Sequence, residues 1–223
     1  MLEAIAKRLL RAVLGGGADI NAANPLPVDT SPGSKTVATI ITLANLAGPA
    51  TSGLVDCAAI DLRGGPNTLA LTIKARYGAA TQGIRIHVRT SPTNSATGTH
   101  TAVFAAAVMT DAAAHFIVDE LIGLTILNVT TGASAVITDN DETTVAVAAI
   151  AGGWTTLDVY SIAGADYDTP TDWDTWNPSF VANTVLRQTK HYDTHPLFVK
   201  VLVENLDPAV AVTDIRVISV RGV

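Results

Sequence analysis

The sequence has a single cysteine and few aromatic residues, which are 5% of the chain. Because Cys57 has no second cysteine to pair with, no disulfide can form within the chain. Cys57 lies in the apolar run Leu54–Ile60, so we expect a buried, inert thiol. A catalytic thiol would need a nearby histidine and an exposed, electropositive setting, and the sequence gives no sign of either.

Charge is also scarce. Charged residues make up 15% of the chain and the formal net charge is −6, so we expect no nucleic acid as a main partner, because phosphate binding needs clustered Lys and Arg. No apolar run approaches the roughly 20 residues of a membrane span, so we expect no membrane partner. Lys7, Arg8 and Arg11 interrupt the apolar N-terminal stretch, whereas the cations of a secretory signal precede it.

Ala, Val, Ile and Leu dominate the apolar residues, with many Thr between them, a composition that favours β-sheet. Apolar and polar residues alternate in several runs that turn residues separate, which predicts an antiparallel, jelly-roll-like β-sandwich. Its two parts are residues 36–112 and 164–223. The predicted strand Leu197–Glu204 alternates only in part, which indicates that this strand is buried on both faces. The predicted strands are Thr36–Leu43, Leu54–Leu62, Thr68–Arg76, Gly83–Thr90, Ala102–Met109, Leu197–Glu204 and Thr213–Arg221.

The first 35 residues differ from this body. Apolar residues recur at helical spacing over residues 2–14, and Gly15-Gly16-Gly17 then ends the predicted amphipathic helix. Pro25 and Pro27 favour an extended arm over residues 18–35. A helix on such an arm can reach a neighbouring subunit, so we expect partner contacts from its apolar face, which comprises Leu2, Ile5, Leu9, Leu10 and Val13.

The pattern of short apolar runs and turns over residues 113–163 predicts a small β insertion of four or five short strands. Its distinctive segments are Leu121–Gly123, Asn128–Gly132, Val136–Thr138, Thr143–Val145, Gly152–Trp154 and Asp158–Ile162. This pattern resembles a module that recurs in virion proteins of tailed phages, although the loop Thr155-Thr156-Leu157 is short and lacks the usual Gly.

The flanking segments Leu54–Cys57, Phe198–Val201 and Val217–Gly222 also resemble phage virion β-sandwich proteins. The resemblance implies a non-enzymatic virion role, as a capsid decoration (cement) protein on the particle exterior or as a tail protein. It implies no catalytic or cofactor-binding residues.

Two segments have only part of the pattern of a ligand-binding or metal-binding motif. Gly33-Ser34-Lys35-Thr36 lacks the residue order of a phosphate-binding loop. His191 and His195 have the spacing of a metal pair on a helix, but Pro196 disfavours helix there, and we expect a surface loop. We therefore predict no catalytic residue, no cofactor and no metal site.

Two short stretches stay open to alternatives. Asp139–Glu142 and the acids between Asp166 and Asp174 are either solvated turns or calcium ligands. Trp173 and Trp176 either close one end of the sandwich core or form a partner or glycan contact.

Taken with the helix and its arm, the resemblance implies a decoration protein that is assembled in the host cytoplasm, binds the major capsid protein or another virion protein, and forms a homo-oligomer, a trimer being favoured. The alternative is a tail-associated or receptor-binding module that recognises host glycans. A hydrolase would need two carboxylates roughly 5–10 Å apart across a cleft, and nothing in the sequence points to one.

Overall fold

The computed structural model describes residues 35–63, 68–165, 172–193 and 196–222. The predicted helix over residues 2–14 and its arm lie outside these ranges. The described residues form a short 3₁₀ helix, Leu54–Asp56, and fifteen strands: β1 (Thr36–Leu46), β2 (Ala50–Thr51), β3 (Ile60–Asp61), β4 (Thr68–Tyr77), β5 (Ile84–Ser91), β6 (Ser95–Thr99), β7 (Val108–Thr110), β8 (Thr125–Asn128), β9 (Ser134–Asn140), β10 (Thr144–Val147), β11 (Val159–Ala163), β12 (Asp174–Trp176), β13 (Val185–Tyr192), β14 (Phe198–Asn205) and β15 (Val212–Gly222).

The strands form three antiparallel sheets, which confirms the prediction of a mainly β, antiparallel fold. Sheet 1 has the order β1-β15-β4-β13, and sheet 2 has the order β12-β5-β14-β2, with β3 also paired to β14. Sheet 3 has the order β6-β11-β8-β9-β10-β7. No helix in the described ranges is long and apolar enough to cross a membrane.

Strand β14 is buried on both faces, as its incomplete alternation predicted. Val199, Val201 and Val203 belong to a core shared by sheets 1 and 2. Phe198 and Leu202, on the opposite face, belong to a second core with the residues of sheet 3. Each fully buried side chain of this size contributes about 1.5–3 kcal/mol. Sheet 2 is therefore the middle layer, with sheet 1 on one side and sheet 3 on the other.

The segment Leu54–Leu62 is not the continuous strand that its apolar run predicted. It contains the 3₁₀ helix and only the short strand β3. The Asp56 carboxylate accepts a hydrogen bond from the Gly53 N–H at 2.8 Å, which caps the turn and competes with extended backbone. The prediction failed because a short apolar run does not distinguish a buried strand from a buried turn.

The predicted strand Ala102–Met109 is also wrong in extent, because only Val108–Thr110 is β7. Val103 and Phe104 are 81% and 63% exposed, so the start of this stretch does not enter a core, whereas Met109 at its end is buried in the core of sheet 3. β6 and β7, which precede residue 113, pair with β11 and β10. Sheet 3 thus includes strands outside the range 113–163 that the sequence predicted for the insertion.

Strand β13 was missed, because the sequence predicted a loop around His191. It pairs with β4 over its whole length, and His191 lies opposite Ala70. Only Leu186 and Tyr192 are buried in this edge strand. Its polar residues therefore conceal the alternation that identifies a strand. His195 lies outside the described residues.

Candidate functional site

Trp173 and Trp176 lie beside the open edge between sheets 1 and 2. Trp176 belongs to β12, which pairs with β5, and its side chain packs against the core of those two sheets. The Trp173 ring lies 5.1 Å from the Tyr192 ring of β13, tilted by 34°. Because β13 belongs to sheet 1, this aromatic pair links the edges of the two sheets. Trp173 remains 38% exposed.

Asp174 organises the polar atoms of this edge. Its carboxylate accepts hydrogen bonds from Lys190 Nζ at 2.6 Å and from the Tyr192 hydroxyl at 2.7 Å. Burial opposes ionisation, but the hydrogen bonds from Lys190 and Tyr192 prevail and hold the pKa of Asp174 below its usual value. Burial and the Asp174 charge raise the pKa of Tyr192. The Asp174 carboxylate thus connects β12 of sheet 2 to β13 of sheet 1.

A second charged cluster lies on the face of sheet 2 that is turned towards sheet 3, and the sequence did not predict it. The His87 ring stands between two carboxylates, with Nδ1 2.6 Å from Asp172 and Nε2 3.0 Å from Glu204. Glu204 also accepts a hydrogen bond from Arg85 at 3.1 Å.

Arg89 extends this cluster to the insertion. Its Nε donates to Asp172 at 3.1 Å and its Nη1 donates to both oxygens of Glu120 at 2.6 Å. Burial lowers the pKa of Arg89, but its bonds to Glu120 and Asp172 outweigh that effect and raise it. The cluster joins β5, β14, the insertion and the chain that returns from it, so it fixes how sheet 3 sits on sheet 2.

Cys57 is buried, as expected, and only 3% exposed. Burial raises the pKa of its thiol to about 11, although a hydrogen bond from the Val201 N–H opposes this. Lys200 is also buried, with Nζ donating to the Leu54 carbonyl at 2.8 Å. Burial lowers the pKa of Lys200. A thiol that stays protonated at neutral pH is a poor nucleophile.

A groove of about 760 Å³ lies between β6 and the segment 111–116. At its floor the Tyr160 hydroxyl donates to the Asp111 carboxylate at 3.0 Å. Several hydroxyl side chains line its walls, together with His115 and Phe116, and no Lys or Arg among the described residues does. The hydroxyl residues are Thr93, Ser95, Thr97, Thr99 and Thr101. A groove of this chemistry suits an uncharged, hydroxyl-rich ligand better than an anion.

The outer face of sheet 3 carries no charged residue across β6, β11, β8 and residues 134–138 of β9, and Asp139, opposite Ala146 at the end of β9, is its one exposed charge within the paired strands. Leu127 lies opposite Ser161 and Ser134, Val136 opposite Thr125, and Val159 opposite Thr99. Leu127, Val136 and Val159 are 38%, 56% and 43% exposed. Apolar residues on an open, uncharged sheet face are typical of protein contact surfaces.

The acidic and histidine candidates for metal ligands lie only partly within the described residues. In the part of the chain that the structure describes, no group of three His, Cys, Asp or Glu side chains could hold a metal ion. Asp172 and Asp174 are engaged by Arg89 and Lys190, and Asp166 and Asp168 lie outside that part. The helix residues Leu2, Ile5, Leu9, Leu10 and Val13 also lie outside it.

No family model, no curated protein and no solved structure matches this chain.

Proposed function

We propose that this protein is a non-enzymatic structural protein of a tailed-phage virion, most specifically a capsid decoration protein on the particle exterior. It is assembled in the host cytoplasm and binds the major capsid protein or another virion protein. In this proposal the first 35 residues attach the protein through the apolar face of an amphipathic helix, and a jelly-roll-like body projects from the shell as a homo-oligomer.

The part of the outer face of sheet 3 formed by β6, β11, β8 and residues 134–138 of β9 carries no charged residue, and this is the observation that carries the proposal. A solvent-facing sheet surface ordinarily carries charged residues, whereas this one presents Leu127, Val136 and Val159 among Ser and Thr. Covering such a surface with another protein costs little desolvation free energy, because few charged groups leave water. The charged clusters of the body support the same role, because they connect its layers to one another.

Attachment through the N-terminal helix is testable with particles stripped of this protein. We expect full-length protein to rebind them and a variant lacking residues 1–34 to remain folded but unbound. Leu9→Asp places a charge on the predicted apolar face and should abolish rebinding. Lys7→Asp introduces the same residue on the polar face and is its matched control. Full occupancy by the truncated protein would contradict this attachment.

Glycan recognition is the second candidate function, and the hydroxyl-lined groove of sheet 3 favours it. Its volume of about 760 Å³ falls in the range typical of small-ligand sites. Ala113 lines the groove and Ala112 does not, and both are exposed. On a glycan array, Ala113→Arg should remove binding and Ala112→Arg should preserve it. Trp173→Ala tests whether the aromatic edge contributes instead.

A further inference from the structure

Four cations stand together on the outer face of sheet 1, although the sequence has no basic run. Arg216 of β15 lies opposite Lys74 of β4, and Lys74 lies opposite Arg187 of β13. Arg76 lies two residues along β4 and therefore on the same face. All four side chains are exposed. We call Arg216, Lys74, Arg187 and Arg76 the basic row.

The basic row has no counter-ion in the described ranges. No carboxylate there forms an ion pair with any of its four members. The paired neighbours Thr42, Thr72 and Thr189 are uncharged. The exposed Asp214, in the bulge of β15 between Thr213 and Arg216, forms no ion pair with the row. Like charges directly opposite each other on neighbouring strands destabilise a sheet. The arrangement costs stability within the monomer, so it indicates an anionic partner.

The chain itself carries a matching anionic surface. Between residues 92 and 165 there is no Lys or Arg. Asp119, Asp139, Asp141 and Glu142 are all exposed, and the Asp119 N–H donates to the Asn140 carbonyl at 3.0 Å, which brings the two segments together. We call these four residues the acidic turn. Glu142 contacts the exposed His115 at 3.3 Å.

The order of the layers prevents one molecule from pairing these two surfaces with each other. The basic row lies on the outer face of sheet 1, and the acidic turn belongs to the insertion that packs on sheet 2 from the other side. We propose that the basic row docks the acidic turn of a second copy, so that copies associate head to tail. A contact between two different surfaces closes into a ring when its rotation permits. This inference does not depend on the virion assignment.

Charge reversal with exchange provides the test, measured on the full chain by sedimentation velocity. The basic-row variant is Lys74→Glu with Arg187→Glu, and the acidic-turn variant is Asp141→Lys with Glu142→Lys. Each alone should weaken self-association about tenfold or more, and an equimolar mixture should restore it, because opposite charges then face each other. Raising the salt from about 20 mM to about 500 mM should weaken wild-type association through screening.

The matched control is Lys35→Glu with Arg63→Glu, which makes the same charge change away from the basic row. It should associate like the wild type, and circular dichroism should show all variants folded. Wild-type protein that stays monomeric at low salt, or association that the basic-row variant leaves unchanged, would overturn the inference. A monomer that binds a DNA duplex through the basic row would overturn it in favour of a polyanion site.

Discussion

His87 Nδ1 lies 2.6 Å from the Asp172 carboxylate, and this contact ties the middle layer of the protein to the chain that returns from the insertion. Asp172 also accepts from Arg89 at 3.1 Å. Both Asp172 and His87 have side chains that are 18% exposed. The insertion is therefore fixed to the body by partly buried charges as well as by the apolar contacts of Phe198 and Leu202.

Asp172→Ala should lower the free energy of unfolding by about 1–3 kcal/mol, because it leaves His87 and Arg89 with fewer acceptors in a partly buried site. Urea denaturation followed by tryptophan fluorescence measures this loss. Asp193→Ala is the control, since Asp193 is exposed, and we expect a change within about 0.5 kcal/mol. Equal losses in the two variants would show that the cluster does not hold the layers.

The protein should lose stability in acid. Burial opposes ionisation of Asp172 and Asp174, but hydrogen bonds from His87 and Arg89 to Asp172, and from Lys190 and Tyr192 to Asp174, hold the pKa of each below its usual value. The unfolded state therefore binds more protons, and this stabilisation is complete above about pH 4 and is lost as the pH falls through the native values. Melting temperatures between about pH 2 and 5 test this, and Asp172→Asn should flatten part of the decline. An unchanged profile for Asp172→Asn would contradict the assignment.

Cys57 should resist alkylation in the native protein. Its pKa of about 11 and its 3% exposure leave little accessible thiolate at pH 8. Iodoacetamide should modify it stoichiometrically only after denaturation in about 6 M guanidinium. Mass spectrometry of the intact protein measures the extent of alkylation in the native and the denatured sample. Rapid native modification would place the thiol outside the core.

Gly98→Ala should destabilise sheet 3. A Cβ at residue 98 would clash with the Asp111 carboxylate and would lie 2.5 Å from the Tyr160 hydroxyl. Overpacking of this kind costs about 1–3 kcal/mol, and thermal denaturation measures it. Gly78→Ala is the matched control, because no atom lies within 4 Å of its added Cβ. A loss no larger than that of the control would show that the groove floor is free to move.

The strongly alternating segments of the fold could be predicted from the sequence. β4, and β5 as far as Val88, carry buried residues at every second position, and β14 is buried on both faces as its partial alternation indicated. β13 could not be predicted, because as an edge strand it has only two buried side chains. The strand prediction over Leu54–Asp56 failed because the hydrogen bond from the Gly53 N–H to the Asp56 carboxylate, and not hydrophobicity, determines the backbone conformation there.

The interaction sites were harder to predict, because their members are far apart in the chain. His87 meets Asp172 and Glu204 across 85 and 117 residues. The basic row joins Lys74, Arg187 and Arg216 only through strand register. Trp173 and Trp176 were recognisable as an aromatic concentration, but their place at the open edge required the pairing of β12 with β5.

The position of the chain in an intact particle tests the proposed function most directly. Cryo-electron microscopy of purified virions, with the chain's own three-sheet body fitted to the map, would locate it. We expect density for this body on the outer surface of the capsid, with the first 35 residues against the shell. Density confined to the tail would support the glycan-binding alternative, and absence of the chain from purified particles would contradict a virion role.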